Sequence, residues 1–470
     1  MSDGRKTGRR PPARPRVPGE RDDAGLPVRR AAIEILLRVE NRGAYADVLL
    51  GNRLPAFIEA DRRLLTRLVL GTLAWRGRLD YEIERLARRP LGEIEPVVLE
   101  ILRVGLFQLR FLDRIPKHAA VDTAVTLARE NRASRGAHGF VNAILRAATR
   151  TAVELPPRSR DEIAYMAVRW SHPRWLVERM VEWFGAEGSE SLMAANNEAA
   201  PTAIRLNLRR AGREEIIARL ERDGMEVAAT GRFPETLILK GAPRFDSESF
   251  REGLFHVQSE ASQIVARLLA PTAGSTIADC AAAPGGKTTH LAELTGAEGR
   301  VVGLDTNLAG LRAAASVAQR LGARNAMFVQ ADACSPLPLR NEAFDFVLLD
   351  APCTGLGTLR EHPELRWRLG ADDPARMGRL QLAMLSNVAT LVRERGALVY
   401  AVCSLAPEEG SSVVSAFLER NRQFALDPEP PWRAEIGDLV GPSGTILLRP
   451  DRGGFDGFFA ARMLRRQSLR

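Results

Sequence analysis

The sequence predicts a multidomain protein: an all-α bundle, a small α/β connecting module, and a C-terminal α/β domain of the doubly wound, Rossmann-like kind. From Val28 to about Arg150, apolar residues recur at three- and four-residue spacing without a strand run between them. Beyond Ile277, short apolar strands alternate with helical stretches, which argues for a mostly parallel sheet with helices on both faces. Where that pattern begins, IADCAAAPGGKTTH at Ile277–His290 carries a strand through a glycine-containing turn into a helix expected to start near Thr288.

That turn reads as a cofactor cradle. Gly285 and Gly286 let the backbone approach a ligand where a Cβ would collide, Pro284 fixes one φ angle, and the helix start brings several N–H groups together. A second strand, Arg300 to Leu304, ends in Asp305, about 20 residues further on, where a doubly wound fold holds ribose hydroxyls. A phosphate-binding Walker loop would need Gly where Ala281 stands, and the dinucleotide fingerprint G-x-G-x-x-G is absent. Nucleoside triphosphatases and NAD or FAD enzymes are therefore disfavoured.

Composition narrows the partners. At 470 residues with 45% hydrophobic content, the chain can build several cores. Its net charge is +9, with 67 basic against 58 acidic residues, and nearly all the basic ones are Arg. Arg matches phosphate in bidentate fashion and stacks on bases, so RNA is the expected partner. A GC-rich genome would also favour Arg over Lys, but accounts less easily for the net charge. Four cysteines, Cys280, Cys334, Cys353 and Cys403, form no C-x-x-C pair, which fits a reducing cytoplasm rather than a disulfide framework or zinc ribbon. Neither an 18-residue apolar run nor a signal-peptide core is seen, so a soluble, cytoplasmic protein without a membrane partner is expected.

In chain order, residues 1–27 read as a disordered, basic, Pro- and Gly-rich tail, able to attract phosphate or simply solvated. Residues 28–150 form the bundle, with Pro116 separating two helices and Gly139 opening the last. Arg62, Arg63, Arg76 and Arg78 are candidates for an RNA-facing surface or for solvated helix faces. Residues 151–250 form the connecting module. SHPRWLVERMVEWFG (Ser171–Gly185) reads as an amphipathic helix and AIRLNLRRAGREEIIARLERDGM as strand, turn and helix. Asn207 with Arg205, Arg209 and Arg210 is expected on or just after that strand, meeting RNA phosphates or covering a sheet edge. Residues 251–470 hold the cradle and the strands AMFVQAD, FDFVLLDAPC, GALVYAVCS and DGFFAARML, so that Asp332, Asp350, Cys353 and Cys403 fall at or just past strand ends.

Two cysteines at strand mouths beside a cofactor site point to thiol chemistry, whereas Cys280 and Cys334 read as structural. Methylation at an unreactive carbon fits: a thiolate adds to C6 of cytosine, C5 becomes nucleophilic, and a base must then remove the C5 proton so that the thiolate can leave. Two cysteines can divide these tasks.

Segments of the chain carry a specific likeness. IPKHAAVDTAVTLARE and GFVNAILR resemble the NusB antitermination-factor fold, an RNA-holding domain. AAAPGGKTTHLAEL, DAPCTGLGTLREHPELRW, VYAVCSLAPEE and PDRGGFDGFFAARM resemble the Sun/RsmB-type RNA cytosine-5 methyltransferases over nearly everything from Val28 onward. The resemblance implies a class I methyltransferase domain, S-adenosylmethionine as cofactor and RNA, most often 16S rRNA, as substrate. It places Ala281, Ala282, Ala283, Pro284, Gly285, Gly286 and Lys287 around the methionine part of the cofactor, Asp305 at the ribose and Asp332 by the adenine. It makes Cys403 the nucleophile, Cys353 the helper in proton removal and release, and Asp350 the group beside the methyl donor and the base; Lys287 is expected to order Asp350 or the cofactor carboxylate. The family usually has Cys at the place of Ala281, Thr at that of Val402 and an acid at that of Ser259. A tRNA substrate, a non-catalytic RNA scaffold and methylation at nitrogen or oxygen are the competing readings.

Overall fold

A computed structural model describes residues 25–131, 135–427 and 433–467, so the tail expected over 1–27 lies almost wholly outside the described residues. The chain divides into two compact units, Met1–Thr72 with Leu79–Val153, and Leu73–Arg78 with Glu154–Arg470.

The first unit is helical. Its helices run over Leu26–Arg42, Ala46–Arg53, Glu59–Ala74, Arg76–Ala87, Pro96–Phe111, Lys117–Glu130 and His138–Arg150, the second pair crossing the boundary between the units. Pro96 opens its helix at the first turn, where a missing N–H costs nothing, and Gly43 closes the first helix at φ 62°. Val97, Val98, Ile101, Leu102, Val104, Leu106 and Phe107 are all buried, so Pro96–Phe111 is the central helix, each such side chain contributing about 1.5–3 kcal/mol. Neighbouring backbones come close to it: a Cβ on Gly71 would lie 2.0 Å from the Phe107 ring. The four arginines that could face RNA or solvent differ in their settings. Arg62 donates to the Phe57 carbonyl at 2.7 Å, Arg63 pairs with Glu59 at 2.9 Å, and Arg76 and Arg78 are half-buried rather than exposed.

Among the described residues, the second unit contains two sheets. The smaller is antiparallel, with β1 (Thr202–Leu206), β2 (Val227–Thr230), β3 (Thr236–Leu239) and β4 (Phe255–Val257) in the order β2-β3-β1-β4. It is preceded by helices Glu162–Trp170, capped by the Asp161 side chain, and Arg174–Ala195, broken at Gly185 (φ 73°, ψ 170°). Ile204 and Leu206 on β1 pack with Ile216 and Leu220 of the helix Arg213–Arg222. Strand alternation then turns Arg205 to the opposite face. The expected edge is in fact an interior strand, and Arg205 is buried, bound to Glu293 at 2.9 and 3.1 Å and to the Gly286 carbonyl at 2.8 Å. Asn207 is buried too, donating to the carbonyls of Gly253 and Leu321. Neither meets solvent phosphate.

The larger sheet holds β5 (Thr276–Cys280), β6 (Arg300–Asp305), β7 (Ala326–Gln330), β8 (Phe344–Asp350), β9 (Val392–Val402), β10 (Phe424–Leu426), β11 (Thr445–Leu448) and β12 (Phe458–Arg465). Its order is β10-β12-β9-β8-β5-β6-β7, with β11 alongside β12. Strands β5 to β9 are mutually parallel, whereas β12 runs antiparallel to β9, β10 and β11. Side chains alternate between two cores: Leu398, Tyr400 and Val402 enter one, Val399 and Ala401 the other. The chain moves outward from β5 to β6 and β7, then returns to lay β8 on the other side of β5. That reversal is the switch point at which open α/β sheets bind ligands, beyond the carboxyl ends of β5 and β8. No helix among the described residues is long and apolar enough to cross a membrane.

Candidate active site

Beyond β5 the backbone is pinned to its neighbour before it turns. Ala281 and Ala282 N–H both donate to the Leu304 carbonyl (2.9 and 2.8 Å), and Ala283 N–H donates to Asp305 Oδ2 at 3.0 Å. Pro284 follows, and Gly285, at φ 100°, caps a helix that begins at Gly286, two residues earlier than expected. A Cβ on Gly285 would lie 2.7 Å from Ala314 Cβ, so the turn closes only around glycine. Asp305 also accepts from Asn307 N–H at 2.8 Å, and each of its oxygens retains a second lone pair. Asp332, just past β7, accepts from Cys334 N–H at 2.8 Å and Ser335 Oγ at 3.1 Å.

Beneath the turn, Asp279 is buried and accepts from Thr288 Oγ1 at 2.6 Å through one oxygen, while Oδ1 has no partner among the described residues. Burial, reinforced by the charges of Asp350 and Asp305, pushes its carboxyl up to about 7. Sequence reading missed this residue, although an acid inside an apolar strand was a usable signal.

The neighbouring loop completes the chemistry. Lys287 Nζ meets Asp350 Oδ2 at 2.5 Å and lies 5.5 Å from the Phe458 ring centroid. Burial pulls the Lys287 ammonium down, but the charge and hydrogen bond of Asp350 outweigh it and hold its pKa above the ordinary lysine value. Cys353 Sγ and Cys403 Sγ stand 3.1 Å apart, brought together because β8 and β9 are adjacent and parallel. The hydrogen bond that Cys353 shares with Cys403, then burial, then the charges of Cys403 and Glu409 raise the Cys353 thiol well above its usual range. Backbone contacts lock this corner: Gly357 N–H donates to the Cys403 carbonyl and Gly457 N–H to the Gly357 carbonyl. Of the two cysteines read as structural, Cys280 is buried in the core and Cys334 is exposed.

Comparison with known proteins meets the same picture. A family model described as 16S rRNA methyltransferase RsmB/F matches residues 266–464, one for the NusB family matches 26–150, and one for the RsmF/B-like ferredoxin-like domain matches 172–246. The probable ribosomal RNA small subunit methyltransferase B of Bacillus subtilis is 32% identical over 93% of this chain and 98% of its own length. The chain belongs to the RsmB/F methyltransferase family. Ribosomal RNA small subunit methyltransferase B of Vibrio cholerae is 35% identical over 92% of this chain and 96% of its own. The crystal structure of PH0851 superposes with a TM-score of 0.80 at 30% identity, covering 93% of this chain and 98% of that one.

As an RsmB/F protein the chain is an S-adenosylmethionine-dependent RNA cytosine-5 methyltransferase with an N-terminal NusB-like bundle. Its small antiparallel sheet is the ferredoxin-like element of the family. The cofactor fits the residues present: a buried carboxylate oxygen of Asp279 lacks a partner among the described residues, the turn at Gly285 excludes a side chain, and Asp305 and Asp332 stand at neighbouring strand ends.

Proposed function

We propose that this methyltransferase acts on a cytidine of 16S rRNA through a covalent bond between Cys403 Sγ and C6 of the base. The observation that carries the reading is the 3.1 Å approach of two thiols at the mouths of adjacent parallel strands, beside the Lys287–Asp350 pair. S-adenosylmethionine supplies an electrophilic methyl group, and Ala281–Lys287, Asp305, Asp332 and Asp350 would hold it. Asp350, fixed by Lys287, hydrogen-bonds the cytosine and supports protonation at N3, which makes C6 more electrophilic. The Cys403 thiolate adds its electron pair to C6, and the C5–C6 π electrons move toward N3, leaving C5 nucleophilic.

After methyl transfer C5 still carries its proton. Bonding of Cys403 to C6 removes the largest of the influences that keep Cys353 protonated; Cys353, having passed its proton to water, takes the C5 proton. The C5–H electron pair re-forms C5=C6, and Cys403 leaves as a thiolate. The ribosomal target rests on the names of the relatives and on the NusB-like bundle. A ribosomal RNA substrate and free thiols together support a cytoplasmic site of action.

The test is methyl transfer from labelled cofactor to undermethylated 16S rRNA and, separately, to tRNA, with wild type and Cys403→Ala. Wild type should form 5-methylcytidine in 16S rRNA and Cys403→Ala none. Product in tRNA alone would overturn the target, and retained activity in the variant would overturn the nucleophile.

A further inference from the structure

Glu409 is a fully buried acid in the loop after β9, two residues ahead of the helix Ser411–Arg420. Its two oxygens collect four donors. Oε1 accepts from Thr354 N–H at 2.8 Å and Gln381 Nε2 at 3.1 Å; Oε2 accepts from Ser404 Oγ at 2.5 Å and from Thr354 Oγ1. Thr354 directly follows Cys353, and Ser404 directly follows Cys403. One carboxylate therefore holds the residue next to each cysteine.

The surroundings stiffen the arrangement. Gln381, itself buried, donates to the Pro352 carbonyl at 2.9 Å and accepts from Tyr400 Oη at 3.1 Å. Pro352 precedes Cys353, so that loop is gripped on both sides of the cysteine, whereas the Cys403 loop is gripped through Ser404 and through its own carbonyl. Thr354 and Ser404 are also mutually within 3.3 Å. Hydrogen bonds to a buried carboxylate are among the stronger ones, and a network satisfied on every side resists displacement.

We propose that Glu409 is a positioning residue that clamps the two cysteine loops together and sets the separation of their sulfurs for attack and release. The inference rests on the assignment of Cys403 as nucleophile and Cys353 as release group. The negative charge of Glu409 also favours the protonated Cys353 thiol. Because the two anchors are distinct, loosening each should disturb a different half of the reaction.

The experiment compares Ser404→Ala, Thr354→Val, Glu409→Gln and Glu409→Ala by rapid quench with 16S rRNA, reading covalent adduct on denaturing gels and released 5-methylcytidine. Cofactor affinity by calorimetry reports on the fold. Ser404→Ala should slow adduct formation roughly tenfold without accumulating adduct, and Thr354→Val should leave formation near wild type while adduct accumulates because release slows. Glu409→Ala should lose about 100-fold in adduct formation with cofactor affinity within about twofold of wild type, and the isosteric Glu409→Gln should recover part of that loss. Identical phenotypes for Ser404→Ala and Thr354→Val, or a Glu409→Ala variant forming adduct at the wild-type rate, would overturn the clamp. If Glu409→Ala does not fold, the split between the two single anchors decides. Adduct formed by a Cys403→Ala control would instead overturn the nucleophile assignment on which the clamp rests.

Discussion

Replacing one partner of the Lys287–Asp350 pair separates what the pair does for stability from what it does for chemistry. The ions meet at 2.5 Å with side chains only 15% and 25% exposed. At an effective dielectric of about 20 such a pair attracts by at least about 4 kcal/mol, much of it offset by the cost of stripping water from both ions. Removing one ion leaves the other uncompensated, so Lys287→Met should cost about 3 kcal/mol and Asp350→Asn somewhat less. The double variant should cost about 1 kcal/mol or less, since it buries no lone charge, giving a coupling of at least about 4 kcal/mol. The assay is urea unfolding at pH 7 for all four proteins, followed by a pH series. In wild type the raised Lys287 pKa contributes stability that is fully present below the unfolded value of about 10.4 and is lost only as pH rises through the folded value. In Asp350→Asn, burial without a partner depresses that pKa, the unfolded chain binds the extra proton, and stability climbs between pH 7 and 10. Additive single and double losses, or parallel pH curves, would refute the reasoning. All three variants should nevertheless be inactive, because stability is restored in the double variant without restoring the group proposed to face the base.

The remaining tests are shorter. Cys353→Ala should leave an RNA adduct that persists on a denaturing gel; rapid turnover with no trapped species would remove that residue from the release step. Asp279 should make the cofactor-free protein lose stability as pH rises from about 4 to about 7, because the folded chain keeps a proton the unfolded acid has shed; the difference, roughly 4 kcal/mol, should vanish in Asp279→Asn unfolding curves. Gly285→Val forces a side chain at φ 100° into Ala314 and should lower cofactor affinity by about 100-fold in calorimetry, whereas Gly286→Ala, whose Cβ comes no nearer than 3.4 Å to His256, should be much milder.

The fold was readable because its elements announce themselves locally. Alternation of short apolar strands with helices predicted the doubly wound sheet, and the strand-turn-helix at Ile277–His290 lies where the chain reverses from β7 back to β8. The juxtaposition of Cys353 with Cys403 needed only the inference that their strands end at the same edge. Arg205 was misread because a charged residue on a short strand looks like a solvent contact until a partner such as Glu293, far along the chain, is known. Glu409 left no periodic trace: it sits in a loop beside a second acid, Glu408, and its partners come from three separate segments. The antiparallel course of β12 was also invisible, since strand direction follows from connection geometry rather than composition.

The placement of β12 has a consequence for synthesis. Strand β9, which leads into Cys403, is flanked by β8 on one side and by β12 on the other, and β12 is made roughly 55 residues after β9 ends. At the usual 5–20 residues per second, that flank of β9 stays unpaired on the ribosome for about 3–11 s or longer. A long apolar strand with an open edge invites pairing with another nascent chain. Translation stalled or truncated between Val402 and Phe458 should therefore yield aggregates rather than a partly active enzyme, and slow codons in that interval would lengthen the exposure.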